Sequence, residues 1–153
     1  MINGYWLPCS RRDPRAIALY FRHYSSAKGG RKTSCYQAGF TGQGQTMVLL
    51  TDRCDALFAW VRQMIPRMDG QTGVNCTVFR NEGSVLSSEL IREADELAWQ
   101  RWPNEPRHFT YVDSGAVRRK RDPGRCFVKA GWTRLKERSG RGLVILELLR
   151  PSH

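Results

Sequence analysis

The chain lacks the long apolar segment that a membrane-spanning helix requires. No run of apolar residues approaches the roughly 20 positions needed to cross a bilayer. The segment Met1–Ser10 also has no apolar core of signal-peptide length. Both absences argue against membrane insertion and secretion. We therefore expect a cytoplasmic protein that has no membrane among its partners.

Cysteine and histidine are too sparse and scattered for a disulfide framework or a metal ribbon. The five cysteines are odd in number and none lies in a Cys-x-x-Cys pair, so we interpret them as free thiols. The histidines are His23, His108 and His153, which predicts no multi-histidine metal site. A mixed iron site from His23 and Asp113 has suitable ligand types, but its spacing carries no signal. The chain also has no GxxxxGK[S/T] loop for phosphate.

Acidic residues are scarce relative to basic ones, with 14 Asp and Glu against 25 Lys and Arg and a net charge of +11. Such an excess predicts attraction to polyanions, with DNA the expected partner. Arginine dominates the basic residues, and its planar fork matches phosphate oxygens. The predicted nucleic-acid contacts lie in two loop clusters, Lys28, Arg31, Lys32 and Arg118, Arg119, Lys120, Arg121. Solvated loops without a partner are the alternative.

The clearest predicted element is a helix from about Ser87 to Trp102. Its apolar positions recur at spacings of three and four residues and form one stripe, made of Leu90, Ile91, Ala94, Leu97 and Ala98. Ser87 or Ser88 is the predicted cap of its first amides, and Pro103 marks its end. The sequence thus places one amphipathic helix near the middle of the chain.

Strands are predicted on both sides of this helix, within a single domain of residues 1–153. The segments Gln45–Leu50 and Ala56–Val61 form a predicted antiparallel hairpin. The segments Cys76–Arg80 and Phe109–Val112 flank the helix as a β-α-β crossover. A short helix over Pro123–Trp132 and an early helix over 16–21 complete the prediction. We expect an α/β fold with a mixed central sheet flanked by helices, antiparallel in its first half.

This order of elements resembles the second half of acyltransferases of the GNAT superfamily. The segment Cys126–Trp132 is similar to the superfamily's last helix and the turn behind it, and Arg141–Leu149 resembles its final strand. The resemblance covers the chain from about residue 45 to the end. It implies a GNAT-like sheet and a transferase that uses acyl-CoA.

In this superfamily the pyrophosphate of acyl-CoA lies on backbone amides at the start of the long helix, usually in an Arg/Gln-x-x-Gly-x-Gly/Ala signature. The matching stretch here is Arg80–Val85, where the arginine and first glycine agree and Val85 replaces a small residue. Helix N-termini bind anions on general physical grounds. The predicted cofactor-binding residues are Arg80, Asn81, Gly83, Ser84 and Ser87.

A second resemblance is to the Mom-like DNA-modification proteins of bacteriophages. It is carried by Arg22–Ser25, by Tyr111–Asp113 and by Gly124–Ala130. These proteins have a GNAT-like fold and convert adenine in DNA to a carbamoylmethyl-type base. The resemblance implies an enzyme acting in the cytoplasm of a bacterial host cell. The residues matching its functional positions are Tyr24, Arg80, Ser87 or Ser88, and Asp113.

The predicted catalytic residues are Tyr24, Asp113, Ser88, His23 and Tyr111. Asp113 follows a strand and is a candidate base, although a turn aspartate before Ser114-Gly115 is the alternative. His23 is a candidate base or ligand, or else a packed histidine. Phe127 stands where both families place a tyrosine, and a phenyl ring cannot donate a proton. Either another donor such as Tyr111 or Tyr24 serves as the acid, or the reaction differs from that of these families.

Three functions follow from these patterns. The first is a phage-type transferase that adds an acyl or carbamoylmethyl-type group to a nucleobase amine in DNA. The second is an acyl-CoA-dependent N-acetyltransferase for a small molecule or protein. The third is a non-catalytic nucleic-acid-binding protein on a GNAT-like fold. The sequence gives no oligomeric state, because it contains no heptad repeat.

Overall fold

The computed structural model describes residues 4–22, 40–41, 44–64, 69–113 and 124–151. The elements in these ranges are, in chain order, β1 (Trp6–Cys9), α1 (Pro14–Phe21), β2 (Gln45–Thr51), β3 (Ala56–Arg62), β4 (Val74–Asn81), α2 (Ser87–Arg101), β5 (Arg107–Val112), α3 (Arg125–Lys129), β6 (Thr133–Arg138) and β7 (Val144–Leu149). None of these three helices is long and apolar enough to cross a bilayer.

The strands form one mixed sheet in the order β1-β2-β3-β4-β5-β7-β6. β1, β2, β3 and β4 pair antiparallel in sequence, whereas β4 and β5 are parallel and joined through α2. β7 then inserts between β5 and β6, antiparallel to both. The predicted α/β class, the antiparallel first half and the β-α-β crossover are all confirmed.

The two edge strands, β1 and β6, were not predicted. β1 has only four residues and contains Pro8, so its sequence gives little strand signal. β6 exposes nearly every side chain and therefore has no apolar-polar alternation. Short or charged strands are typical of sheet edges, where they discourage pairing with another chain. The strands that the sequence did not predict are thus the ones without a fully buried face, which would leave an apolar pattern in the sequence.

Helices cover both faces of the sheet. On one face α2 packs its predicted apolar stripe against alternate residues of the central strands, which include Leu49, Phe58, Trp60 and Cys76. On the other face α1 packs against the intervening residues, which include Val48, Leu50, Leu57, Ala59 and Val78. Alternation along each strand therefore divides the core into two layers.

α2 begins differently from the prediction. Its N-cap residue is Leu86, and no side chain caps the first turn, so the predicted capping by Ser87 or Ser88 is wrong. The physical reason is the preceding loop, because Asn81 Nδ2 donates to Ser87 Oγ at 3.0 Å. The predicted end is confirmed, since the helix stops at Arg101 before Pro103.

A buried polar cluster ties α2 to β5 and to the segment after α3. Asp95 Oδ1 lies 2.7 Å from His108 Nδ1, and Asp95 Oδ2 accepts a hydrogen bond from Trp132 Nε1 at 2.8 Å. The His108 ring also stacks on Trp99, with ring centroids 3.5 Å apart. Burial lowers the pKa of His108 to about 3 and raises the pKa of Asp95. Both groups therefore favour their neutral forms.

We predict that Asp95→Ala lowers the free energy of unfolding by about 3 kcal/mol, because it leaves two buried nitrogen groups unpaired. Asp95→Asn can still accept from Trp132 and donate to His108, so its loss should be about 1 kcal/mol. Urea unfolding followed by tryptophan fluorescence measures both values. Glu96→Ala, at an exposed position on the same helix, is the control. Equal losses for the Ala and Asn variants would contradict the assignment.

Candidate functional site

The candidate site lies where β4 and β5 separate. Among the described residues these strands pair only over Val74–Cys76 and His108–Thr110. β4 then continues to Asn81 along β3, and β5 continues to Val112 along β7. The carboxyl ends of the two parallel strands therefore form an open fork within the sheet. Ligands of α/β sheets commonly bind beyond such carboxyl ends.

A β-bulge at the base of the fork bends β4. Trp60 of β3 lies opposite Cys76 and Ala59 lies opposite Val78, so Thr77 is an extra residue on β4. Bulges bend a strand and increase its local twist. At the same level, Thr110 Oγ1 donates to the carbonyl of Cys76 at 2.8 Å. This side chain provides the last link between β4 and β5 before they part.

The loop between β4 and α2 is shaped by Asn81, a predicted cofactor-binding residue. Its Nδ2 donates to the carbonyl of Val85 at 2.8 Å and to Ser87 Oγ at 3.0 Å. Its Oδ1 accepts from the backbone amide of Gly83 at 2.9 Å. The structure thus brings Asn81, Gly83 and Ser87 together in one turn. The Gly83 amide is already used inside this turn.

Gly83 packs against the carboxylate of Asp55, in the turn between β2 and β3. A Cβ atom built on Gly83 would lie 2.6 Å from Asp55 Cγ, which is shorter than real contacts. Thr51 Oγ1 fixes the carboxylate by donating to Asp55 Oδ1 at 2.7 Å. The backbone amide of Glu82 donates to the Asp55 carbonyl at 2.7 Å. A neighbouring loop therefore supports the turn and leaves no room for a larger residue.

The first turn of α2 faces the end of this loop without a side-chain cap. The first amides of any helix have no partner within the helix, and the helix dipole adds positive potential there. Ser87 and Ser88, both half-buried, occupy the first two helical positions, while Ser84 is exposed in the loop. These uncapped amides can donate hydrogen bonds to an anionic group.

Arg80 has its own partners on the opposite face of β4 from Asn81. Its Nε donates to Glu82 Oε2 at 3.0 Å, and its Nη1 donates to the carbonyl of Arg22 at 2.6 Å. Arg22 holds the same carboxylate in two hydrogen bonds, of 2.7 and 2.9 Å. The guanidinium of Arg22 lowers the pKa of Glu82. Arg80 therefore links the loop to the end of α1.

Of the other predicted catalytic residues, the structure describes Tyr111 and Asp113. Tyr111 lies on β5, and its hydroxyl donates to Asp69 Oδ2 at 2.5 Å. Its neighbour Val112 points to the α2 face, so Tyr111 points to the other face. Asp113 follows β5 directly and is half-buried.

Several predicted residues lie outside the described ranges. These are the predicted catalytic residues His23 and Tyr24 and both basic loop clusters, at residues 28–32 and 118–121. Within the part of the chain that is described, no three His, Cys, Asp or Glu side chains form a group able to hold a metal. The suggested iron site therefore gains no support.

Phe127 of α3 closes the α2 side of the fork with an aromatic cluster. Its ring contacts Phe79 of β4, with centroids 6.0 Å apart, and Trp132, with centroids 4.8 Å apart. Only 5% of Phe127 is exposed. Burial also raises the pKa of the adjacent Cys126 thiol. Phe127 has no ionisable proton, and the raised pKa makes the Cys126 thiol a weaker acid than usual.

Sequence reasoning missed Asp55, Thr77 and Thr110, which support the fork and the loop. Thr77 carries no bulge signal, because threonine is an ordinary strand residue. Asp55 lies between the two strands of the predicted hairpin, and that position gives no sign of its contact with Gly83. Long-range contacts of this kind depend on the register of paired strands.

Comparison with known proteins supports the fold. No family model matches the chain, and no curated protein sequence matches it. Aminoglycoside 6'-acetyltransferase type Ii has a similar structure, with a TM-score of 0.64 and 12% identity, covering 95% of this chain and 99% of that one. Aminoglycoside acetyltransferase AAC(6')-Ib in complex with coenzyme A has a TM-score of 0.51 and 15% identity, covering 69% of this chain and 65% of that one. The predicted GNAT-like fold is thereby confirmed.

We predict that Asn81→Ala loosens the turn before α2, because three hydrogen bonds disappear together. The stability loss should be about 1–2 kcal/mol. Amide hydrogen exchange should accelerate in a peptide covering residues 82–88 and stay unchanged in the second half of α2. Asn104→Ala, at an exposed turn position, is the matched control. Unchanged exchange at residues 82–88 in the Asn81 variant would refute the role of this side chain.

Proposed function

We propose that the chain is an acyl-CoA-dependent N-acyltransferase. The observation that carries this proposal is the fork between β4 and β5, which leads directly to the uncapped start of α2. The likeness to two acetyltransferase structures, one of them a coenzyme A complex, supports it. The fork offers an open strand edge for an extended ligand, and the helix start offers amides for its anionic end.

The residues present fit acyl-CoA at the helix start. The first amides of α2, at Ser87 and Ser88, and the exposed Ser84 would hold the pyrophosphate, whereas the Gly83 amide serves the turn itself. Asn81 would keep these groups in position. Arg80 would contribute by fixing Glu82, the one acid of the loop, away from the phosphates. When bound, acyl-CoA supplies a thioester carbonyl that an amine can attack.

Proton transfer would be divided between Asp113 and a donor other than Phe127. Asp113, at the carboxyl end of β5, is the proposed acceptor of the proton that the attacking amine loses. The Tyr111 hydroxyl donates to Asp69, so Tyr24 is the proposed donor to the leaving sulfur. Ser88 and His23 remain proposed members of the site. Two of these residues, His23 and Tyr24, lie outside the described ranges.

The net charge of +11 bears on the acceptor. Aminoglycosides carry amino groups that are protonated at neutral pH, and a strongly basic protein repels such polycations. The charge instead favours an anionic acceptor. This supports a second candidate within the same chemistry, transfer of an acyl or carbamoylmethyl-type group to a nucleobase amine in DNA. The Mom-like motifs and the basic clusters at residues 28–32 and 118–121 agree with that proposal.

We predict that Gly83→Ala weakens acetyl-CoA binding at least tenfold, because the added methyl group must displace the turn from Asp55. Isothermal titration calorimetry of the purified chain measures the dissociation constant. Gly140→Ala is the matched control, since a Cβ atom there meets nothing within 4 Å. Absence of acetyl-CoA binding by the unmodified chain would overturn the proposed function.

We predict that DNA from cells expressing the chain contains a nucleoside of new mass, and that Asp113→Ala abolishes it. Liquid chromatography with mass spectrometry of digested DNA measures the product. Acetyl-CoA binding that persists in the Asp113 variant would show that the fold is intact. Acetyl-CoA binding by the wild-type chain together with unmodified DNA would reject the nucleobase acceptor and leave an N-acyltransferase with another substrate.

A further inference from the structure

The segment from Gly124 to Gly142 is far more basic than the rest of the described chain. It contains six basic residues, Arg125, Lys129, Arg134, Lys136, Arg138 and Arg141, against one acidic residue, Glu137. All six side chains are exposed. We call these six residues the basic strip. It runs from α3 along the edge strand β6 to the turn before β7.

Elsewhere in the described ranges, five arginines form ion pairs with acidic residues. The ion pairs are Arg15–Asp13, Arg22–Glu82, Arg62–Glu105, Arg80–Glu82 and Arg107–Glu147. No ion pair within the described ranges uses Arg125, Lys129, Lys136, Arg138 or Arg141. Arg138 donates to the Gly142 carbonyl, which leaves its charge uncompensated. Among the described residues, the excess of positive charge is thus concentrated at this end of the sheet.

Strand register places members of the basic strip on one face. Arg134 lies opposite Leu146 and Arg138 opposite Val144. Directly opposed residues point to the same face of a sheet. Leu146 and Val144 belong to the core beneath α2 and α3. Arg134 and Arg138 therefore project from the face that carries α3, and α3 adds the exposed Arg125 and Lys129.

We propose that the basic strip binds the phosphate backbone of a nucleic-acid duplex. A linear polyanion matches a line of basic side chains along a strand, and each neutralised phosphate releases counterions. The two aromatic residues of this segment, Phe127 and Trp132, are buried, with 5% and 3% exposed. The basic strip therefore offers no surface for stacking unpaired bases, which single-strand binding uses. It also has no exposed aromatic anchor of the kind that favours membrane surfaces.

The basic strip reaches the level of the candidate site. Arg138 pairs with Val144, and Val144 pairs with Val112 at the carboxyl end of β5. Two strand spacings separate Arg138 from Val112, which is roughly 10 Å. A duplex on the strip would thus lie beside the opening of the fork. Its binding does not depend on acyl transfer, so the two proposals stand or fall separately.

The test compares two double charge reversals of the full chain. Lys136→Glu with Arg141→Glu alters the basic strip, and Arg11→Glu with Arg53→Glu alters exposed residues near the other edge of the sheet. Each pair of substitutions lowers the net charge from +11 to +7. Fluorescence anisotropy with short DNA and RNA duplexes measures affinity at several salt concentrations. Thermal unfolding checks that both variants fold.

We expect the strip variant to lose more than tenfold in duplex affinity and the control less than threefold. The negative slope of log affinity against log salt should become shallower by about 2 for the strip variant, because two phosphate contacts disappear. Lys136→Gln with Arg141→Gln should show the same order of effect without introducing acidic groups. Equal losses in the strip and control variants would show that net charge alone binds the duplex, and would overturn the proposal. Tighter binding to single strands, or binding only to anionic lipid vesicles, would overturn it as well.

Discussion

The hydrogen-bond ladder between β4 and β5 stops after three residue pairs, and the candidate site depends on that stop. Continuous pairing would place β5 along the whole length of β4 and leave no opening. The extra residue Thr77 bends β4 at this level, and the Thr110 hydroxyl donates a hydrogen bond to the carbonyl of Cys76. Strand curvature and one side-chain hydrogen bond therefore create the fork, and the core beneath it remains closed by Phe79, Phe127 and Trp132.

The elements with a buried apolar pattern could be predicted from the sequence. The stripe of α2 and the strands β2 to β5 and β7 all have a buried face, and burial leaves a periodic signal. β1 and β6 lack that signal because they are short or exposed at the sheet edges. The start of α2 was misassigned for a different reason. Ser87 is a good cap by residue type, but Asn81, six positions earlier, had already engaged its hydroxyl.

The sequence indicated where the loop between β4 and α2 lies in the fold, but not how its residues are used. The stretch from Arg80 to Ser88 does lie at the carboxyl edge of the sheet, as the crossover pattern indicates. The sequence could not reveal that Arg80 and Asn81 point to opposite faces and hold different structures, the end of α1 and the turn before α2. The sequence also could not reveal the partner of Tyr111, whose hydroxyl donates to Asp69 on the face of β5 opposite to Val112. His23, Tyr24 and the two basic loop clusters stay predictions.

The contact between Gly83 and Asp55 has an evolutionary consequence. A glycine in a phosphate-binding signature is commonly attributed to the ligand, yet here the neighbouring carboxylate already excludes any larger residue. The two positions are therefore epistatic: a shorter residue at position 55 would relax the requirement for glycine at position 83. Among descendants of this sequence, the substitutions at these positions should covary, with loss of the aspartate preceding loss of the glycine. Departures from the consensus signature at these positions would then reflect changes in the packing of the turn, while the start of α2 beside it can still bind an anion.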